Sequence, residues 1–360
     1  MKKFFYHFKK LDWILILSAV FLVLFGLLSI FSSSKGNFLN LKKQAIFFGI
    51  GFFLMLIFSF SDWRWFKETR LIFFLYFLSI FLLMGLFFFA PKIRGTRSWY
   101  KIGQFSFDPT EFLKIVLILL LAKYFSKTHV EMYRLRHILI SGFYVFLPSV
   151  LIYLQPDLGS VLILIILWLG ILIISGINLR QFFLLVFVFL LIFILGWQFF
   201  LKDYQKKRII SFFTPIEPLG ISWSQNQSKI AISTGGIFGQ GIKKGSQTQL
   251  GFLPEPQTDF IFAAISEEMG LIGISILFFL FSILIWRIVR ISILSDNNFS
   301  RLFASGFAVL LVCQIFINIG MNLGLLPIIG IPLPFVSYGG SSLISNFLAL
   351  GILESIQKRD

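Results

Sequence analysis

Long apolar runs separated by short polar segments follow one another along most of the chain, and most of the runs are about twenty residues long. A helix of about twenty residues crosses the hydrocarbon core of a bilayer. The runs lack the strict apolar–polar alternation of barrel strands. The pattern therefore predicts an all-α polytopic membrane protein with about ten transmembrane helices. The predicted spans are residues 11–31, 44–60, 71–90, 110–126, 138–155, 158–175, 181–201, 259–285, 302–322 and 342–356.

One long segment interrupts this pattern between the seventh and eighth predicted spans. Residues 202–258 contain a polar stretch with many Gly, Ser, Thr and Gln residues, and they lead directly into the apolar run that begins at residue 259. We find no convincing internal repeat. The chain is expected to form a single membrane domain, residues 1–360, with one large extracytoplasmic loop, residues 202–258.

The distribution of Lys and Arg predicts how the helices are oriented. The short loops on one side carry seventeen of these residues, and the short loops on the other side carry seven. Because basic residues are enriched in cytoplasmic loops, both termini are predicted to be cytoplasmic and the large loop to lie outside. The first apolar run has no small-residue cleavage site, so it is expected to be an uncleaved span.

The composition agrees with a membrane protein and excludes several functions. Hydrophobic residues make up 57% of the chain and charged residues 13%, whereas soluble domains carry about 25% charged residues. A net charge of +16 suggests nucleic-acid binding in a soluble protein. Here topology and contact with anionic lipid explain it, so no nucleic-acid partner is expected. The single cysteine, Cys313, excludes an internal disulfide.

Acid–base chemistry on the outer face must use a carboxylate. The three histidines fall on or near predicted cytoplasmic segments, and the cysteine lies in an apolar run. Asp259 stands where the large loop enters the eighth predicted span, among Gln, Thr, Pro and Gly residues. A partly desolvated carboxylate at this position would have the raised pKa that a general base needs. Capping of the following helix is the structural alternative for Asp259.

Charged residues inside predicted spans are costly in a membrane and are usually functional or paired. Glu111 and Lys114 are three residues apart, so they lie on one helix face. They form either an ion pair that permits insertion or part of a substrate site. Asp157 lies at a predicted helix start, where capping competes with a binding role. Glu267 and Glu268 lie two turns into the eighth span, and at least one should face the bundle interior.

Basic and hydroxyl side chains on the outer side are candidates for binding a phosphorylated substrate. Arg97 lies in a short outer loop, and Arg208 lies in the large loop. Arg suits phosphate recognition, and contact of a solvated loop with anionic lipid is the alternative. Near the end of the chain, Ser337 and Ser341 flank a Gly-Gly pair. Their alternative is packing between helices.

Several motifs together resemble the SEDS family of membrane proteins, which includes RodA, FtsW and a sporulation protein, and the RodA type most closely. The resemblance covers nearly the whole chain, and the motifs are specific in combination. One departure is Gln257, which stands where the family usually has His. The motifs are RGTRSWYKIG followed by DPTEFLK, QPDLGS, YQKKRI, ISTGGIFGQGIKKGSQTQLGFLPEPQTDFIFAAISEE and PFVSYGGSSL.

The resemblance implies ten transmembrane helices and a peptidoglycan glycosyltransferase that polymerises lipid II during cell elongation. Asp259 matches the family's essential aspartate and would act as the general base. Arg97 and Lys114 would lie near phosphate, with Glu111 orienting Lys114, and Glu255 would assist a divalent cation, Mg²⁺ or Mn²⁺. The resemblance also implies a class B penicillin-binding protein and the elongation machinery as partners. The protein would lie in the bacterial cytoplasmic membrane, with its active site outside.

Two other functions are alternatives. A transporter that flips lipid II fits the composition equally well, and it would be favoured by inverted repeats or paired broken helices. A scaffold that holds a penicillin-binding protein would tolerate loss of Asp259. The long outer loop with its clustered acids and bases favours chemistry over both.

Overall fold

The computed structural model of the chain describes residues 11–91, 96–103, 105–128, 135–199, 206, 210 and 221–357. Within these ranges the protein consists of helices, one short β-hairpin and connecting loops. The elements in chain order are α1 (Trp13–Ser33), α2 (Leu39–Phe60), α3 (Trp63–Phe66), α4 (Thr69–Phe89), β1 (Tyr100–Ile102), β2 (Phe105–Phe107), α5 (Pro109–Thr128), α6 (Leu135–Leu154), α7 (Leu158–Ile174), α8 (Leu179–Phe199), α9 (Ile221–Gly235), α10 (Ser246–Leu250), α11 (Ile261–Leu294), α12 (Asn298–Leu323) and α13 (Gly340–Gln357).

Ten of the described helices have seventeen or more residues, and each overlaps one predicted span. Seven of them are long and apolar enough to cross a membrane, and α7 is a shorter apolar helix. The other two long helices, α5 and α13, carry more polar residues. The protein is an integral membrane protein built from helices, whereas the number of helices that cross the bilayer stays a prediction.

Helix α5 lies at the centre of the bundle. Every side chain from Leu113 to Ala122 is buried, as expected for a helix that other helices surround. The outer helices instead expose large aromatic side chains; Phe81 on α4 is 71% exposed. Helices α2 and α13 approach closely, because a Cβ at Gly351 would lie 2.6 Å from the carbonyl oxygen of Met55. The described bundle therefore has a packed interior and apolar outer faces that suit lipid.

The β-hairpin lies across the ends of α2 and α4. Its strands are antiparallel, and Tyr100 pairs with Phe107. The Tyr100 hydroxyl donates a hydrogen bond to the carbonyl oxygen of Leu82 on α4 (2.6 Å). The ring of Phe105 packs against Phe47 on α2, with 5.6 Å between centroids. The hairpin thus links two helices and leads into α5.

Helix α11 is interrupted at Gly270, where φ is 62° and ψ is −158°. A Cβ there would lie 2.3 Å from the backbone nitrogen of a neighbouring loop residue, so the position requires glycine. The interruption leaves the carbonyl groups of Glu267 and Glu268 free of helical partners. They accept hydrogen bonds from the backbone N–H groups of Gln240 (2.9 Å) and Gly241 (3.0 Å). The eighth predicted span therefore consists of two helical pieces.

A polar network connects three helices at the N-terminal end of α1. Asp12 caps α1 by accepting a hydrogen bond from the N–H of Leu15 (3.2 Å). The same carboxylate accepts one from Nε of Arg287 on α11 (2.7 Å). The backbone N–H of Asp12 donates to the buried carboxylate of Glu354 on α13 (3.0 Å). Three helices are fixed to one another here.

Candidate active site

Asp259 lies in the polar loop that enters α11, and its side chain is half-buried. Its main-chain carbonyl oxygen accepts hydrogen bonds from the side-chain amides of Asn318 (3.2 Å) and Asn322 (3.0 Å) on α12. Its Oδ2 is 3.6 Å from the position that a Cβ on Gly330 would occupy. The N-cap residue of α11 is Phe260, whose side chain makes no capping hydrogen bond. Asp259 is the residue immediately before this N-cap.

Ser337 fastens the Asp259 loop from the other side. Its hydroxyl donates a hydrogen bond to the carbonyl oxygen of Thr258 (2.7 Å) and accepts one from the backbone N–H four residues earlier (2.9 Å). The next residue, Tyr338, donates its backbone N–H to the carbonyl oxygen of Gln257 (2.8 Å). Ser337 therefore positions the backbone that carries Asp259.

The start of α2 completes the frame around this loop. Asn40 donates a hydrogen bond from Nδ2 to Oε1 of Gln257 (2.8 Å). Gln44 contacts the C-terminal loop twice, through the carbonyl oxygen of Ser337 (3.1 Å) and the N–H of Gly339 (3.2 Å). Gln257 is thus part of a hydrogen-bonded wall.

A cavity of about 330 Å³ opens beside the Asp259 loop. Glu255 lines it and has a φ of 44°, a left-handed conformation that is strained for any residue except glycine. The Glu255 carbonyl oxygen accepts hydrogen bonds from the N–H groups of Thr258 (3.2 Å) and Phe260 (3.3 Å), which stabilise this conformation. Uncharged hydroxyl and amide groups form most of the other polar lining. The polar lining residues besides Glu255 are Ser33, Lys35, Asn40, Thr248, Gln257, Thr258 and Tyr338.

A second, more open cavity of about 650 Å³ lies at the turn between α1 and α2. It shares Lys35 with the first cavity and is also lined by Lys42. Both lysines belong to the seven basic residues of the short loops predicted to lie outside, and neither was a predicted site residue. Their position in a short loop predicted to lie outside could have marked them as candidates, because basic residues are disfavoured in such loops.

A second group of charged residues surrounds the start of α5. Lys114 is 1% exposed and forms an ion pair with Glu111 at 2.8 Å, so the predicted pairing of these two residues is confirmed. Burial, followed by the neighbouring carboxylates of Glu111 and Asp157, raises the pKa of Asp108 to about 7. The group therefore contains three neighbouring carboxylates and one lysine, which pairs with Glu111.

Hydrogen bonds attach this second group to α7 and α13. Asp157 caps α7 by accepting hydrogen bonds from the N–H (3.1 Å) and the hydroxyl (2.7 Å) of Ser160. Ser341, at the start of α13, accepts one from the backbone N–H of Asp108 (2.8 Å). The capping alternative for Asp157 is thus the arrangement that the structure contains.

The segment 329–331 separates the two groups. On one side, a Cβ at Gly159 would lie 2.7 Å from the carbonyl oxygen of Ile329, so the first turn of α7 packs against it. On the other side lies the carboxylate of Asp259, next to Gly330. Asn318 donates a hydrogen bond to the carbonyl oxygen at residue 331 (2.8 Å) and so holds the segment.

One predicted phosphate contact, Arg97, is not brought into this site. Arg97 is exposed, and its guanidinium donates a hydrogen bond to the carbonyl oxygen of Phe87 (2.8 Å), near the end of α4. Arg208 lies outside the described residues. Among the described residues, no group of three or more His, Cys, Asp or Glu side chains is placed to hold a metal ion.

The chain is similar to other proteins over nearly its whole length. A family model described as a cell cycle protein and covering FtsW, RodA and SpoVE matches residues 9–360. The chain is 35% identical to the peptidoglycan glycosyltransferase MrdB of Escherichia coli strain K12, covering 99% of this chain and 95% of that protein. It is 34% identical to the stage V sporulation protein E of Bacillus subtilis, covering 96% and 97% respectively.

Two solved structures share its fold. One is described as "Structural coordination of polymerization and crosslinking by a peptidoglycan synthase complex"; it matches with a TM-score of 0.83 at 28% identity and covers 97% of this chain and 99% of the other. The other is the rod shape determining protein RodA of Thermus thermophilus, with a TM-score of 0.71 at 26% identity and 96% coverage of both chains. The similarity therefore extends from the sequence to the helix arrangement.

Proposed function

Because this chain belongs to the FtsW, RodA and SpoVE family of cell cycle proteins, we infer that it is a peptidoglycan glycosyltransferase of the membrane. It joins the disaccharide-peptide units of lipid II into glycan strands. The observation that carries this inference is the fixed backbone of Asp259, which directly follows loop residues that line a polar cavity at one end of an apolar helix bundle.

We propose Asp259 as the general base. The acceptor sugar hydroxyl gives its proton to the carboxylate while its oxygen attacks the anomeric carbon of the donor. The bond from that carbon to the pyrophosphate oxygen breaks, and the pyrophosphate leaves with the electron pair. A single displacement turns an α-linked donor into a β-linked strand and needs no carboxylate nucleophile. The hydrogen bonds from Asn318 and Asn322 support this role because they fix the backbone of the base.

We propose that the two cavities divide the substrate between them. Hydroxyl and amide groups in the smaller cavity, together with Glu255, suit a sugar. Lys35 and Lys42 in the more open cavity suit the pyrophosphate, whose negative charge increases as it leaves. Lys114 pairs with Glu111 in the separate charged group at the start of α5, so we give it no direct contact with the pyrophosphate in this proposal.

The divalent cation expected from the family resemblance has no matching protein site among the described residues. Glu255 is a single acidic ligand, and no cluster of three ligands accompanies it there. We therefore assign no step of the reaction to Mg²⁺ or Mn²⁺. The dependence on either cation is a quantity to measure in the assay below.

We propose a class B penicillin-binding protein as the partner, with the pair acting in cell elongation. The described similarity to a peptidoglycan synthase complex that polymerises and crosslinks supports a crosslinking partner. The identity with MrdB supports the elongation role. In this arrangement the Asp259 side of the membrane faces outward, where the partner supplies crosslinks.

Glycan polymerisation by the purified protein tests the function. The wild type and Asp259→Asn are given labelled lipid II in detergent, with Mg²⁺, Mn²⁺ or a chelator, and with a cognate penicillin-binding protein whose own active site is inactive. We expect long strands from the wild type and a loss of about 10²- to 10⁴-fold in rate for the variant. Asp296→Asn, an exposed carboxylate between α11 and α12, is the matched control and should retain the wild-type rate.

The alternatives give different outcomes in the same experiment. Strands made at full rate by Asp259→Asn would place the base elsewhere. No strands, with lipid II crossing proteoliposomes, would establish a transporter instead. Transporters commonly use broken helices in pairs, whereas α11 is the one described helix with a non-helical residue in its interior. An inactive wild type that still binds the penicillin-binding protein would establish a scaffold.

A further inference from the structure

Two adjacent glutamates on α11 have no part in the reaction proposed above. Glu267 is 0% exposed and Glu268 is 2% exposed, so both face the interior, as expected for at least one of them. Carboxylates inside a membrane helix are costly unless other groups satisfy them. Both lie on the short helical piece between Asp259 and the interruption at Gly270. The proposed base lies in the loop just before this piece, and the two glutamates lie near its other end.

Glu267 binds the first turn of α10. Its Oε1 accepts hydrogen bonds from the backbone N–H of Gln247 (2.6 Å) and the hydroxyl of Ser246 (3.2 Å). Its Oε2 accepts them from the backbone N–H (3.0 Å) and the hydroxyl (2.7 Å) of Thr248. A Cβ at Gly245 would lie 2.6 Å from Oε2, so glycine permits this approach. Both carboxylate oxygens are therefore used to fix α10.

Glu268 contacts the end of α1 and the side chain of a residue in α10. Its Oε1 accepts hydrogen bonds from the hydroxyl of Ser32 at the end of α1 (2.6 Å) and from the side-chain amide of Gln249 (3.1 Å). The Ser32 oxygen in turn accepts one from the backbone N–H of Lys243 (2.8 Å). The segment 240–249 is thus attached to α11 and α1 at several points.

The attachment of α10 determines the shape of the cavity beside Asp259. Thr248 on α10 lines that cavity, and so does Leu253, whose N–H donates to the carbonyl oxygen of Gln247 on α10 (3.0 Å). The chain then continues through Glu255 to Asp259. A shift of α10 would therefore move one wall of the cavity relative to the carboxylate.

We propose that Glu267 is a positioning residue for the polymerisation reaction. It fixes α10 to the helical piece that follows Asp259, and so it sets the distance between the base and the cavity wall that Thr248 and Leu253 form. This inference rests on the proposed function. It predicts that loss of the Glu267 carboxylate lowers the reaction rate as well as the stability of the loop.

Glu267→Gln tests the proposal with little change in size. The amide nitrogen cannot accept hydrogen bonds, so one of the two backbone N–H groups of α10 loses its acceptor. We expect kcat to fall about 10²-fold, because small misplacements of reacting groups have that effect, while KM changes by less than about threefold. Glu267→Asp restores an acceptor at both oxygens and should recover at least about tenfold of the loss.

Glu354→Gln is the matched control. Glu354 is as buried as Glu267 and accepts a backbone hydrogen bond at the other end of α1. Its substitution should leave kcat within about twofold of the wild type. Equal loss of kcat in both variants would overturn the proposal, because it would report general destabilisation. Failure of Glu267→Asp to recover activity would also overturn it.

Hydrogen exchange provides a readout that needs no substrate. Glu267→Gln should accelerate amide exchange in residues 240–258 and leave exchange in α1 to α8 unchanged. Faster exchange with kcat within twofold of the wild type would overturn the proposal. Should Glu267→Gln fail to fold, the double variant Ser246→Ala and Thr248→Val removes the two hydroxyl donors, and we expect about a tenfold loss of kcat from it.

An inactive wild type would remove the proposed function and, with it, the catalytic role of Glu267. The exchange experiment distinguishes that failure from failure of the positioning idea itself. With an active wild type, unchanged exchange in residues 240–258 of Glu267→Gln would show that α10 does not depend on this carboxylate, and so would overturn the inference alone.

Discussion

Lys114 illustrates how a single residue is made compatible with the interior of the bundle. The side chain is 1% exposed, and Glu111 compensates its charge at 2.8 Å. Removal of one partner from a buried pair leaves an unpaired charge, which costs about 3 to 5 kcal/mol. Asp108 and Asp157 add two more carboxylates to this group. With three carboxylates and one lysine, the group is stabilised when one carboxyl keeps its proton.

Asp108 is the residue that we expect to keep this proton. Its pKa is raised from 3.8 to about 7, first by burial and then by Glu111 and Asp157, against the opposing effect of Lys114. Between these two values the folded state binds more protons than the unfolded state. The stability that protonated Asp108 contributes to the folded state is therefore fully present below pH 3.8, the pKa in the unfolded chain. It is lost as the pH rises through about 7, the pKa in the folded protein.

Asp108→Asn should make stability less dependent on pH. The variant keeps an oxygen for the N–H of Thr110, which Asp108 binds at 2.8 Å, but it cannot ionise. Between about pH 5 and pH 8 we expect the wild type to lose at least about 1.4 kcal/mol more stability than the variant, the equivalent of one pKa unit. Thermal unfolding in detergent at several pH values measures this. Parallel curves for the two proteins would contradict the prediction.

The residue scale also shows where sequence reasoning succeeded and where it could not. The Glu111–Lys114 pair follows from helical spacing alone, because residues three apart share a face. The hydrogen bond from Arg97 to the carbonyl oxygen of Phe87 depends on the path of a loop, which spacing does not define. Lys35 became a candidate only when the cavities beside it were visible.

At the scale of elements, α11 differs most from its expectation. The predicted eighth span, residues 259–285, runs through Gly270 as one segment. The interruption is stabilised by residues far away in the chain: the N–H groups of Leu271 and Ile272 donate to the carbonyl oxygens of Gly236 (2.9 Å) and Ile237 (3.2 Å). Because long-range backbone pairing leaves no local signal, the pattern could not reveal it.

Gly270→Ala should disrupt this element. The conformation at Gly270 is essentially restricted to glycine, and the added Cβ would overlap backbone atoms of residues 237 and 239. We expect a loss of stability of more than about 3 kcal/mol, or no folded protein, measured by thermal unfolding in detergent.

Gly49→Ala is the control for this substitution. Gly49 lies within α2, and no atom lies within 4 Å of its added Cβ. Its substitution should change stability by about 1 kcal/mol or less, in the stabilising direction, since alanine favours helix. Equal stability of Gly270→Ala and Gly49→Ala would show that the interruption in α11 is not required.

At the scale of the whole molecule, polar groups concentrate at the two ends of the described bundle. The Asp259 loop, the cavities and α10 lie at the end of α1 near Ser33, and the Asp12–Arg287–Glu354 network lies at its start. Helices with exposed aromatic side chains connect these ends. The length of the apolar runs predicts this division, because a helix that crosses the bilayer must match the thickness of its hydrocarbon core. It does not predict which loops meet at either end, because that depends on packing between distant helices.

The orientation of these two ends is the remaining property of the whole molecule that charge distribution predicts. Lys244 lies in an exposed loop at the Asp259 end, and Asp296 lies in an exposed turn between α11 and α12. In a Cys313→Ser background, Lys244→Cys should react with a membrane-impermeant maleimide in intact spheroplasts. Asp296→Cys should react only after permeabilisation, because the basic loops beside it are expected in the cytoplasm.

The reverse labelling pattern would contradict both the predicted topology and the assignment of Asp259 to an outward-facing reaction. Labelling of both cysteines in intact cells would indicate damaged membranes, which a cytoplasmic marker protein detects independently. The Lys and Arg distribution predicts that one end of the bundle faces outward, and the polar cavity lies at that end. Agreement of the labelling with both would therefore connect the orientation of the bundle to the position of its proposed base.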